Sequence, residues 1–198
     1  GLDQPAAIAV FEPGSSVAVV TERGIYIFKR VKNEQGETTS WSSRKITYKG
    51  SHRGIAVTAG GNVVSGVYGK IRLLDGEVSD GQEIVLASVD CNPIINDALF
   101  QNNQRRALVT ASPCFMDIVE NRLVMSDLRK QVISMWEIEE TVTGLASITF
   151  VRAIDVQAFD NPAQAYKKSA EQVPLGKCAF ASGIRMDESG WVMVVDAE

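Results

Sequence analysis

The stretch from Gly54 to Asp75 reads GIAVTAGGNVVSGVYGKIRLLD, and it decides the fold. Three short apolar runs follow one another, separated first by a glycine-rich turn and then by a short loop. Runs rich in valine and isoleucine that are bounded by glycine and asparagine are typical of strands joined by tight hairpins. The stretch therefore predicts three consecutive antiparallel strands.

The same order of elements recurs along the chain. It is found in IAVFEPGSSVAVVTERGIYIF at 8–28 and in FMDIVENRLVMSDLRKQVISMW at 115–136, and it starts again in GIRMDESGWVMVVDAE at 183–198. In the three complete copies, the first apolar residue of strand one and that of strand three are 17, 16 and 17 residues apart. A spacing that holds across copies indicates a structural repeat.

A fourth strand is predicted before each following copy, at 44–48, at 83–87 or alternatively 107–110, and at 178–181. Each unit is then a four-stranded antiparallel meander, which is the blade of a β-propeller. The predicted fold class is all-β. We expect a β-propeller whose ring is incomplete in this chain. A short inserted helix is predicted near 162–172, where Pro162 suits a first helical turn. The predicted units span 5–48, 49–110, 111–152 and 178–198, with an insertion at 153–177.

Equivalent positions of the repeat supply the predicted core. Alternation along a strand places every second residue on the same side of a sheet. We expect these side chains to be buried: Ile55, Val57, Val63, Ile71, Leu123, Val132, Ile184 and Val192.

Composition limits the function classes. The 198 residues carry 20 lysine and arginine residues against 24 aspartate and glutamate residues, a net charge of −4, which excludes a wholly basic nucleic-acid binder but not a basic face. The single histidine, His52, excludes a histidine-rich metal centre. No phosphate-binding, nucleophile-elbow or zinc-protease motif occurs, so we expect no enzyme activity, cofactor or metal. Three widely spaced cysteines, an odd count, favour a reducing compartment and predict a cytoplasmic protein.

Several pieces of the repeat resemble the NHL-repeat family, and in particular the NHL domain of tripartite-motif proteins. They are GIAV at 54–57, GNVV at 61–64, SD at 126–127, GIRMDESG at 183–190 and VVDA at 194–197. The tripeptide that names the family is absent from every unit, and so is the WD dipeptide of another propeller family. A β-sandwich or another all-β sheet is the alternative. The resemblance implies a non-catalytic propeller that binds RNA or protein partners through one face of the disc.

The loops of a meander alternate between the two faces of such a disc. One face receives the loops before each first strand and those between second and third strands; we call it the basic face, because lysine and arginine predominate there. The acidic residues collect mainly on the opposite face. Carried over by position, the candidate RNA contacts are Arg23, His52, Arg53, Tyr68, Lys70, Arg129 and Lys130.

Basic and aromatic side chains together suit single-stranded nucleic acid, since cations meet phosphates while rings stack on bases. The sequence therefore predicts a module that binds single-stranded RNA in post-transcriptional regulation. The alternative is a scaffold propeller for protein–protein interaction. We expect no membrane and no DNA partner. A calcium site made by Asp117, Asp127, Asp187 and Asp196 is weighed against their more usual structural role at turns and strand ends.

Overall fold

The computed structural model describes residues 5–11, 16–21, 23–46, 52–141, 144–157, 177–178 and 181–196. Strands dominate this part of the chain and form four antiparallel sheets in sequence order. Three sheets have four strands each, and the fourth sheet has two. In each four-stranded sheet, every strand pairs with its neighbours in the sequence, so each sheet is a meander. The predicted all-β fold with four-stranded antiparallel blades is confirmed.

The strand bounds follow the repeat. Sheet 1 contains β1 (Pro5–Val10), β2 (Ser16–Thr21), β3 (Gly24–Lys32) and β4 (Thr38–Ile46). Sheet 2 contains β5 (His52–Val57), β6 (Val63–Val67), β7 (Lys70–Leu74) and β8 (Val85–Asp90). Sheet 3 contains β9 (Pro113–Val119), β10 (Arg122–Asp127), β11 (Val132–Glu140) and β12 (Ala146–Asp155). Sheet 4 contains β13 (Ala181–Met186) and β14 (Val192–Asp196).

The fourth strand of sheet 3 lies elsewhere than predicted. It is β12, paired with β11 along its whole length, and not the segment 178–181. Of the described residues in that segment, Cys178 makes an isolated parallel bridge with Gln157, and Ala181 begins β13. The strand β12 is at the outer rim and none of its residues is fully buried, although Ala146, Ile148 and Phe150 pack against the core between sheets 2 and 3.

Two helices occupy the connection between sheets 2 and 3. Helix α1 (Cys91–Leu99) is capped by Asp90, whose side chain accepts a hydrogen bond from the backbone N–H of Asn92. Helix α2 (Gln104–Ala107) is a single turn. The inserted helix predicted near 162–172 lies outside the described residues. Within the described part of the chain, neither helix approaches the length and apolar character that a membrane span requires.

Successive sheets pack face to face and bury three apolar layers. Sheets 1 and 2 share one around Ile25 and Val63, and sheets 2 and 3 share another around Ile71 and Trp136. Sheets 3 and 4 share a third around Val124 and Ile184. The ring is not closed, because sheets 1 and 4 each have a neighbour on one side only among the described residues. This stack of four-stranded meanders is the arrangement of propeller blades.

Most of the predicted core is buried as expected. Six of the positions are buried: Ile55, Val63, Ile71, Leu123, Val132 and Ile184. The other two, Val57 and Val192, are half-buried, because each lies at the end of its strand beside a turn.

Candidate nucleic-acid interface

The turn between β6 and β7 places an aromatic ring on the basic face. It consists of Tyr68 and Gly69, and Gly69 has a φ of +77°, which a glycine adopts without strain. The backbone N–H of Gly69 donates to the carbonyl of Ala111 at 2.8 Å, and its carbonyl accepts from the N–H of Cys91 at 2.8 Å. These bonds fix the turn against the connection to sheet 3, while the side chain of Tyr68 remains 53% exposed.

Arg129 reaches Tyr68 from the next sheet. It lies in the turn between β10 and β11, and its guanidinium carbon is 5.2 Å from the centroid of the Tyr68 ring. Both side chains are exposed. A guanidinium over a ring is a cation–π contact, which orders two long side chains at the surface. The pair bridges sheets 2 and 3, and about half of the Tyr68 residue remains exposed.

A buried carboxylate holds the Arg129 turn in place. The Oδ1 atom of Asp127 accepts hydrogen bonds from the backbone N–H groups of Arg129, at 2.9 Å, and Lys130, at 2.7 Å. Its Oδ2 atom accepts from the N–H of Ser112. Burial raises the pKa of Asp127, and the three backbone donors oppose that rise. These contacts give Asp127 a structural role in shaping the turn.

Three further predicted contacts are exposed on the same face. Arg23 follows β2, Arg53 is the second residue of β5, and Lys70 begins β7. Lys70 is the cross-strand partner of Asp90, so a carboxylate lies beside it. The positive charge of the basic face is therefore partly offset beside Lys70, near the start of α1.

Two predicted contacts are buried instead. His52 is 3% exposed and Lys130 is 1% exposed, so neither side chain is available to a ligand on the surface described here. The Nζ atom of Lys130 donates to Oδ1 of Asn96 at 2.7 Å and to the carbonyl of Arg106 at 3.1 Å. Burial lowers the pKa of Lys130. Its charge fastens the helical insertion to sheet 3.

His52 is buried in sheet 2. Its Nδ1 atom shares a hydrogen bond with the hydroxyl of Ser65 on the neighbouring strand. Burial first, and the positive charge of Arg72 second, lower the pKa of His52 to about 4. The ring is therefore neutral near pH 7 and belongs to the packing of the sheet.

The insertion brings two arginines that the repeat pattern does not reveal. Arg105 on α2 is exposed, while the guanidinium of Arg106 lies 4.2 Å from the centroid of the Phe100 ring. Arg106 also donates to the carboxylate of Asp155 and to the carbonyl of Lys130. The sequence signals for this insertion were a capping residue, Asp90, and a proline in the first helical turn, Pro93.

A cleft lies along the inner strands, toward the face of the disc opposite the basic face. This cleft of about 850 Å³ is lined by β1, β5 and β9 and by charged side chains of both signs. Lys29 is paired with Glu77 at 2.9 Å, and Arg185 lies 3.6 Å from Asp117. Among the described residues, no group of three or more His, Cys, Asp or Glu side chains is placed to hold a metal ion. The cleft thus offers mixed, internally paired charge.

Comparison with known proteins finds partial structural similarity and no match by sequence. No protein-family model and no curated protein sequence matches it. Among solved structures, Hsv2 of Kluyveromyces marxianus is similar, with a TM-score of 0.46 and 12% identity over 77% of this chain and 46% of that one. Hsv2 of Kluyveromyces lactis has a TM-score of 0.44 and 7% identity, over 77% of this chain and 48% of that one. The aligned part is thus less than half the length of either Hsv2 chain.

Proposed function

We propose that this chain is a non-catalytic binding module that takes single-stranded RNA on its basic face, in the cytoplasm. The observation that carries the proposal is the exposed Tyr68–Arg129 pair, which spans two sheets. The NHL-like repeat pattern supports it as a resemblance. A protein-binding scaffold is the competing function, and the experiment below separates the two.

The proposed binding mode follows from the geometry of the pair. Arg129 covers one side of the Tyr68 ring, so an unpaired base stacks on the other side. Arg53 and Lys70 then meet phosphates on either side of the stacked base, and Arg23 extends the path toward sheet 1. His52 and Lys130 are left out of the contact set because their side chains are buried. This mode selects unpaired strands, since a base inside a duplex has no free face.

The Tyr68 ring gives the sharpest test. Replacing Tyr68 with alanine should weaken binding by about 1–3 kcal/mol, as expected when one base loses its stacking partner. Tyr68→Phe keeps the ring and should bind like the parent. The measurement is fluorescence anisotropy with labelled oligouridine and a mixed-sequence RNA, compared with a duplex of the same length. Equal loss in the alanine and phenylalanine variants would argue against stacking.

The cations make a different, salt-dependent contribution. Lys70→Ala and Arg53→Ala should each weaken binding to all RNA sequences alike, and each should reduce the slope of log affinity against log salt by about 0.7. Lys32→Ala is the matched control, because Lys32 is an exposed lysine at the end of β3 opposite the turn that holds Arg23. If the combined Arg53, Lys70 and Arg129 replacement leaves RNA affinity unchanged, or if no RNA binds at low salt, the result would contradict RNA binding and favour the protein-binding scaffold.

A further inference from the structure

The helical insertion between sheets 2 and 3 is joined to the turn that carries Tyr68. It connects the last strand of one blade to the first strand of the next, and such connections lie on the basic face. The N–H of Gly69 donates to the carbonyl of Ala111 near the end of the insertion, and the carbonyl of Gly69 accepts from the N–H of Cys91 at its start. Both ends of the insertion therefore lie beside the proposed RNA site.

Helix α2 of the insertion is joined in the same way to the turn that carries Arg129. The Nη2 atom of Arg106 donates to the carbonyl of Lys130, and the Nζ atom of Lys130 donates to the carbonyl of Arg106 at 3.1 Å. Because Lys130 follows Arg129 directly, α2 lies next to the second partner of the exposed cation–π pair. A strand bound at the Tyr68–Arg129 pair thus has α2 beside it.

The first turn of α2 and the residues before it present amide and guanidinium groups to solvent. The sequence at 101–106 is QNNQRR. Two of these side chains are used by the fold: Asn103 caps α2 by accepting from the N–H of Arg106, and Arg106 donates to the carboxylate of Asp155. The other four are exposed, and within the described part of the chain their side chains make no hydrogen bond or ion pair: Gln101, Asn102, Gln104 and Arg105.

These four groups match what an unpaired RNA strand offers beyond its phosphates and ring faces. Stacking on Tyr68 and ion pairing with lysine or arginine are common to all sequences, so the pair and its neighbouring cations cannot select a base. A side-chain amide holds a donor beside an acceptor, and the edges of an unpaired base are free to bond with it. The insertion therefore carries the base-reading chemistry that the Tyr68–Arg129 pair lacks.

We infer that residues 101–105 read the base sequence of an RNA strand bound at the Tyr68–Arg129 pair. The amides that contact base edges are Gln101, Asn102 and Gln104, and the group that contacts a phosphate is Arg105. Adenine is the favoured base, because its N6 donor lies between two ring acceptors and an amide can pair with either edge. This inference rests on the proposed RNA binding and adds sequence selectivity to it.

The amides are tested by base preference. Fluorescence anisotropy compares labelled oligoadenosine, oligouridine and oligocytidine of about 8 nucleotides, a length typical of single-strand sites. The parent should bind oligoadenosine about tenfold or more tightly than the other two. The combined Gln101→Ala, Asn102→Ala and Gln104→Ala variant should lose this preference. Gln82→Ala is the matched control, because Gln82 is an exposed glutamine in the β7–β8 loop on the opposite face, and it should keep the preference.

Arg105 is tested through salt. Arg105→Ala should reduce the slope of log affinity against log salt by about 0.7 on all three RNAs and leave the base preference in place. Arg105→Lys retains the charge and should keep the slope of the parent. Every variant should melt at the temperature of the parent, since the replaced side chains are exposed and make no bonds to the rest of the described chain.

The outcomes separate this inference from the proposed function on which it rests. RNA binding by the parent without a base preference, or with a preference that survives the combined amide replacement, would overturn the reading role of the insertion and leave RNA binding intact. An unchanged salt slope in Arg105→Ala would overturn the phosphate contact. If the parent binds none of the three RNAs at low salt, the proposed function and this inference are both wrong.

Discussion

At the scale of single residues, the burial of His52 makes the stability of the fold depend on pH. Its pKa falls from 6.5 in the unfolded chain to about 4 in the fold, so the unfolded state binds the proton more readily between these values. The stabilisation by neutral His52 is complete above about pH 6.5 and is lost as the pH falls toward 4. In denaturant unfolding, the free energy of unfolding of the parent should fall by about 2 kcal/mol between about pH 7.5 and pH 5, and the His52→Asn variant should not show this fall. Parallel pH curves for the parent and the variant would contradict this.

Residue type alone did not distinguish the candidate contacts that are exposed from those that are buried. The sequence placed Arg53, Tyr68, Lys70 and Arg129 on one face, and all are exposed there. Lys130 is next to Arg129 in the chain but is enclosed beneath the insertion, by groups far away in sequence. Burial of this kind depends on tertiary packing of a segment that has no counterpart in the repeat, so no local pattern could reveal it.

At the scale of elements, sheets 2 and 3 approach each other closely through glycine. A Cβ atom at Gly66 in β6 would lie 2.6 Å from the carbonyl oxygen of Pro113, and one at Gly54 in β5 would lie 2.6 Å from that of Cys114. Gly66→Ala should therefore destabilise the fold by about 1–3 kcal/mol, because the two sheets must move apart. The control is Gly183→Ala in β13, where a Cβ would rest 3.4 Å from the side chain of Val195. Urea denaturation compares the two, and an equal effect would show that the close approach is unimportant.

The inner hairpins could be predicted because each is a short apolar run beside a tight turn, as in β5, β6 and β7. The outer strand β12 was not predicted: Ala146, Ile148 and Phe150 alternate and pack on the core, but a register shift at Val151 interrupts the alternation part-way along the strand. Helix α1 interrupts the repeat without disturbing the strands around it. Its capping residue was visible in the sequence, but an apolar run of this length fits a strand or a helix equally well.

At the scale of the whole molecule, stability is arranged in layers, since the sheets of the described chain pack mainly on their neighbours in the sequence. Val63 is fully buried in the layer between sheets 1 and 2. Val63→Asp should cost about 3 kcal/mol or more, because it buries an unpaired carboxylate. In the Val63→Asp variant, hydrogen exchange should show that the amides of β1–β7 lose protection before those of β9–β12, as in other stacked repeats. Uniform loss of protection would instead mean that the stack unfolds as one unit.

The ion pair beneath the insertion has a practical consequence for titrations with salt. Arg106 donates to the carboxylate of Asp155 and to the carbonyl of Lys130, Lys130 donates to the carbonyl of Arg106, and both basic side chains are largely shielded from water. Mobile ions screen exposed charges over a Debye length of about 10 Å at 0.1 M but reach shielded pairs much less. Raising the ionic strength should therefore leave the backbone around Arg129 unchanged. A salt-dependent affinity would then count the counterions that a ligand displaces, without a contribution from rearrangement of the protein.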